Sequence, residues 1–74
     1  MRFADRLWWL RDRLGFPYRP HFAAAFGFTV AALRDLEAGR TQPSRSTRIL
    51  VAAIELDPDL IKRAAAVVRH ELNR

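Results

Sequence analysis

Glycine and proline stand at Gly15, Pro17, Pro20, Gly27, Gly39, Pro43 and Pro58, and between them they leave five uninterrupted stretches long enough for a helix in a chain of 74 residues. Proline is excluded from a helix interior, and glycine suits the left-handed residue that follows a helix, so this punctuation sets the elements before any other signal does. Inside the stretches apolar residues recur at spacings of three and four, and no segment alternates between hairpin turns. The class is all-α.

The first helix is expected from about Phe3 to Leu14. Phe3, Leu7, Leu10 and Leu14 fall within about 60° of arc at 100° per residue, and Gly15-Phe16-Pro17 stops it. A second, short helix opens at Pro20, carries Phe22, Ala23 and Phe26, and ends at Gly27. The third takes Thr29 as its N-cap, with Phe28 and Leu33 placed as a hydrophobic staple, and ends near Ala38-Gly39. Ser44 caps a fourth that runs through Leu56, with Ile49, Leu50, Ala53, Ile54 and Leu56 as its apolar face. The fifth has Asp57 as N-cap, Pro58 at its first position and a Leu56/Ile61 staple, and runs to about Leu72.

Residues 1–74 are expected to form a single domain, because a chain of this length supports only one core. Cysteine is absent, which removes disulfides, thiol catalysis and Cys-based zinc sites. A small domain without such staples relies on helix packing or a partner subunit, so an intracellular, self-associating protein is expected. The longest apolar runs, Ile49–Ile54 and Ala64–Val68, are far short of the roughly 18 residues a membrane span needs, and no signal peptide is apparent.

The charge is unevenly placed. Residues 1–50 hold nine arginines against Asp5, Asp12, Asp35 and Glu37, a surplus of five, whereas residues 51–74 hold four basic and four acidic groups. Twelve of the thirteen basic residues are Arg, whose planar fork pairs with phosphate oxygens and guanine edges, so a polyanion is the first partner to consider. Catalysis has no support: no Ser-His-Asp set, no framed pair of carboxylates and no phosphate-binding glycine loop is present, and His21 and His70 lie too far apart to share a metal. No cofactor is expected.

The informative segment is Phe22 to Pro43. Two short helices joined by a Gly-containing turn make a helix-turn-helix, spanning about residues 20–39, in which the first helix braces and the second enters the major groove of DNA. Ala23 is small enough for the helices to cross closely, Gly27 permits the turn, and Phe28, Leu33 and Leu36 pin the second helix to the core.

Phe22-Ala23, Gly27-Phe28-Thr29, Leu33, Leu36-Glu37, Gly39-Arg40 and Pro43 together resemble the Cro/C1-type (XRE) family of helix-turn-helix DNA-binding domains. The five-helix plan extends the likeness to a lambda-repressor-like domain over nearly the whole chain. Arg48-Ile49-Leu50, Ile54-Glu55 and Asp57-Pro58 are similar, over fewer residues, to HigA-like antitoxins of the same family. The departures are Tyr18-Arg19-Pro20, where the family has Thr/Ser-Gln, and one extra residue between Gly15 and Phe22.

By position, the resemblance implies that Thr29, Val30, Ala31, Arg34 and Asp35 face bases. Val30 and Ala31 offer only apolar contact with thymine methyls, leaving Arg34 as the bidentate reader of guanine and Asp35 as an acceptor from cytosine or a partner for a neighbouring Arg. Arg19, in place of the family's Gln, joins Arg40, Thr41, Arg45 and Arg48 on phosphates. Glu37 matches the family's structural acid, ion-paired with Arg11.

Trp8 and Trp9 project about 140° and 120° to opposite sides of the first helix's core stripe. Three readings stay open: they cover the packing of the fifth helix, they join Ile61, Ala65, Val68 and Leu72 of helix 58–72 in a homodimer interface, or Trp9, flanked by Arg2, Arg6 and Arg13, stacks on single-stranded bases. The expected function is that of a dimeric, cytoplasmic, nucleoid-associated repressor that binds double-stranded DNA. The alternative is an antitoxin whose main work is binding a toxin.

Overall fold

The computed structural model describes residues 1–73. Five helices follow in order: α1 (Phe3–Arg13), α2 (Arg19–Phe26), α3 (Val30–Glu37), α4 (Arg45–Leu56) and α5 (Pro58–Leu72). No strand occurs among the described residues.

The helix ends have local causes. Thr29 Oγ1 accepts from the Ala32 amide at 3.1 Å, Ser44 Oγ from Thr47 at 3.1 Å and Asp57 Oδ1 from Leu60 at 3.1 Å, so three N-termini carry the side-chain caps their residue types favour. α2 begins one residue before Pro20, and its N-cap Tyr18 makes no side-chain bond. At the other ends, Gly15, Gly27 and Gly39 all have positive φ. After α1 the Gly15 amide donates to the Asp12 carbonyl and Phe16 to Arg11, and after α3 Gly39 donates to Leu36 and Arg40 to Asp35, the paired bonds of a Schellman closure. After α2 both Gly27 and Phe28 donate to the Ala23 carbonyl. The chain thereby turns sharply after each of the first three helices.

One core joins four of the helices. Leu7 and Leu10 of α1, Phe22, Ala23 and Phe26 of α2, Leu33 and Leu36 of α3, and Val51 and Ile54 of α4 form a single buried cluster. Phe16 and Phe28, each just past a closing glycine, set aromatic rings against it; Phe16 stands edge-on to Phe22 and Phe26. α3 packs on α1 and α2, while α5 packs on α2 and α4 and buries no residue fully.

Two expectations for α4 and α5 fail. Ile49 and Leu56, read as part of α4's apolar face, are 61% and 87% exposed, and Val51 is buried in their stead. The run Ile49–Ile54 is apolar all round, so periodicity does not choose its inward side; packing against α1 and α5 does. With Leu56 in solvent, the Leu56/Ile61 staple is absent and Asp57 caps α5 alone.

Candidate nucleic-acid interface

α3 is fixed from behind and open in front. Leu33 and Leu36 are buried beneath it, and the backbone around Gly27 sets its start against the end of α2. Ala31, Arg34, Asp35 and Ala38 then share roughly 100° of arc on the outer side. Ala31, Arg34 and Ala38 are exposed, as are Thr29 and Val30 at the leading end. This outward strip is low, with alanine at two of its four positions, so Arg34 stands above it as the long side chain.

Glu37 is the anchor on the inner side. Its carboxylate is 2% exposed and accepts from Arg11 through Nε at 2.9 Å and Nη2 at 3.0 Å, a fork-to-fork pair, and from Arg19 Nε at 3.1 Å. Arg11 is itself buried, and its Nη1 donates to the carbonyls of Phe16 and Pro17, both at 2.9 Å. One carboxylate thus ties α3 to α1, to the loop after α1 and to the first turn of α2. No buried side-chain polar atom among the described residues lacks a partner, the condition under which a buried pair does not carry an uncompensated desolvation cost.

Arg19, assigned to phosphates by the resemblance, therefore spends its Nε on Glu37, and its side chain is still 40% exposed. Nothing in the sequence alone distinguished these uses. Asp35 lies between Arg34, at 3.9 Å, and Arg40, at 3.4 Å, with the arginine side chains 56% and 67% exposed. Pairs this open are worth little against solvent, so both arginines are free to exchange Asp35 for another acceptor. Thr41 and Arg45 are exposed, and the Arg48 guanidinium lies 5.5 Å over the Phe3 ring. Neither Arg45 nor Arg48 is ion-paired among the described residues.

A second pair links α1 to α4. Arg6 donates to both oxygens of Glu55, from Nε at 3.1 and 3.0 Å and also from Nη2. Those hydrogen bonds hold the Glu55 carboxyl below the usual carboxylate range against a partial desolvation that opposes them, and hold the Arg6 guanidinium above its ordinary value. The sequence offers no sign of this pair, because 49 positions separate its members.

Of the residues expected at a dimer interface, Ile61, Ala65, Val68 and Leu72 line one groove with Phe26 and Phe28, and Trp8 and Trp9 stand on α1. Trp8 and Trp9 are 44% and 55% exposed and meet edge-on, with ring centroids 5.1 Å apart. Trp9 lines a cleft with Arg13 and with Glu55 of α4. Ile61 packs on its own chain's core and Ala65 is half-buried, while Val68 and Leu72 are exposed. Along α5 the apolar stripe is thus used internally near its start and left open near its end. No family model matches the chain, and no curated protein or solved structure is significantly similar to it.

Proposed function

We propose that the chain is a helix-turn-helix protein of the lambda-repressor-like type that binds double-stranded DNA with α3 in the major groove and regulates transcription by occupying a promoter. The observation that carries this reading is the pairing of a locked inner face with an open outer one: Glu37 fixes α3 to α1 and α2 while Arg34 stands exposed, with Arg40 sharing its neighbour Asp35. A helix meant to read base edges has to be held at a set height and angle above its scaffold, and a fully satisfied buried ion pair does that. Arg34 reads guanine in pairs of hydrogen bonds, Thr29, Val30 and Ala31 make the remaining close contacts, and Arg40, Thr41, Arg45 and Arg48 hold phosphates.

One short helix reads only a few base pairs, so the acting species is a twofold dimer on half-sites about one helical turn apart. Selection from random duplex DNA tests this. An enriched palindrome is expected, and a pool that stays random overturns the reading. Within the selected site, Arg34→Ala is expected to cost about 1–3 kcal/mol of specific affinity while leaving binding to random duplex nearly unchanged. Equal losses on both would remove Arg34 from the base-reading set.

A second reading is favoured by α5, which buries no residue fully and leaves Leu60, Val67, Val68 and Leu72 exposed. That surface suits a protein partner, in keeping with an antitoxin that neutralises a toxin and represses its own promoter. Co-purification of a stable complex with the product of an adjacent reading frame would support it.

A further inference from the structure

Where the residues before α1 meet the end of α3 and the start of α4, Arg2, Phe3, Gly39, Thr41, Gln42 and Arg48 line a cleft of about 470 Å³ whose lining contains no carboxylate. We infer that this cleft is a phosphate site in which Arg2 and Arg48 clamp a single phosphate group, contributed by the backbone of bound duplex. The inference rests on the duplex-binding reading for the source of the phosphate, though not for the chemistry of the site.

Several observations converge. The two guanidinium groups come from different elements and reach the same cleft. Arg48 is steered there by the Phe3 ring, 5.5 Å below it. Arg2 lies back across Gly39, with one of its terminal nitrogens 3.5 Å from where a side chain at that glycine would begin, an ordinary contact distance. Among the described residues the only carboxylate paired with either is Asp5, 3.8 Å from Arg2 Nε, with the two side chains 57% and 73% exposed, a contact easily exchanged in water. Two cations brought together without an acid between them repel, and an anion held by both removes that repulsion.

The rest of the lining suits an oxyanion. The Thr41 hydroxyl and Gln42 amide are donors on the segment between α3 and α4. The carbonyls of Asp35 and Leu36 at the end of α3 are already engaged by the Arg40 and Gly39 amides. Two guanidinium forks match the oxygens of a tetrahedral oxyanion better than point-charge ammonium groups would. In sequence, Arg40 lies between the lining residues Gly39 and Thr41, so the cleft continues the cationic segment that follows α3. Arg2, to which the helix-turn-helix pattern gives no role, becomes a backbone contact.

The test uses the full chain and a mixed-sequence duplex, with Kd measured by fluorescence anisotropy over a salt series. Arg2→Gln and Arg48→Gln are compared with Arg63→Gln on α5, with circular dichroism confirming that all remain folded. Each of the first two is expected to weaken binding roughly five- to tenfold at low salt and to flatten the salt slope by about one. The double variant should lose less than the product of the singles, because both residues hold the same group. If the wild type binds duplex and Arg2→Gln and Arg48→Gln behave like Arg63→Gln, the cleft is not a phosphate site, while the duplex reading stands. If the wild type binds no duplex, yet inorganic pyrophosphate shifts the Thr41 and Gln42 amide resonances in a manner abolished by the double variant, the site takes a free phosphate and the duplex reading falls. Absence of both responses overturns both.

Discussion

α1 is tied to the rest of the molecule at two places by an arginine and a glutamate, and the two junctions are built differently. At α3, Glu37 is 2% exposed and shared by two arginines, one of which also holds two backbone carbonyls. At α4, Glu55 is 29% exposed and, among the described residues, is ion-paired only with Arg6, with Arg13 near enough to act on its charge. A closed junction fixes a geometry; an open one adds a little stability and tolerates movement. The closed junction lies under the helix proposed to read DNA, and the open one lies where α4 and α5 complete the bundle.

The sharpest way to break this contrast is to remove the acid at each junction. Glu37→Ala strands the buried Arg11 charge and is expected to cost about 3–5 kcal/mol in urea denaturation, enough to unfold much of the population of a small domain. A loss no larger than that of Glu55→Ala would mean that solvent reaches Arg11 and that the junction is not closed. Next, Arg19→Ala should cost only about 1 kcal/mol, because its side chain is 40% exposed and Arg11 keeps Glu37 satisfied. Equal losses for Arg11→Ala and Arg19→Ala would show the carboxylate to be shared evenly.

The open junction gives the smallest effect and the clearest pH signature. Glu55→Gln is expected to cost about 1 kcal/mol or less at neutral pH. Because Arg6 lowers the carboxyl's pKa in the folded protein, this contribution is complete above the unfolded value. It fades as pH falls from the ordinary carboxylate range through the folded value. The difference between wild-type and Glu55→Gln denaturation curves should therefore shrink on acidification. A difference that grows would reverse the assigned direction.

Most of the fold was legible because it is written in local chemistry. Thr29, Ser44 and Asp57 cap as their side chains allow, three glycines close three helices, and the spacings of Leu7, Leu10, Leu33 and Leu36 mark the inner faces. All five helices accordingly lie within a residue or two of where the punctuation puts them. What escaped depends on neighbours distant in sequence. Ile49 and Leu56 are as apolar as Val51, and only the placement of α4 in the bundle decides which of them is buried. Arg19 reads as a phosphate ligand until α3 brings Glu37 to it, and Arg6 has no visible partner until α4 folds beside α1. The proposed site divides in the same way. Arg34 and Arg40 follow from the motif, whereas Arg2 enters only through the cleft it shares with Arg48.

The glycines that end α1, α2 and α3 share a left-handed backbone, and the first two also have open space around them. At Gly15 and Gly27 a side-chain carbon would meet nothing within 4 Å, so these positions are closed to ordinary residues by backbone chirality rather than by space. Their φ values of 80° and 83° are those of a mirror-image amino acid. A D-alanine introduced there by chemical synthesis matches that backbone and restricts the unfolded chain, and is expected to raise stability by about 0.4–1 kcal/mol per site, measured by urea denaturation. The turn between α2 and α3 thus prefers a residue that ribosomes do not supply.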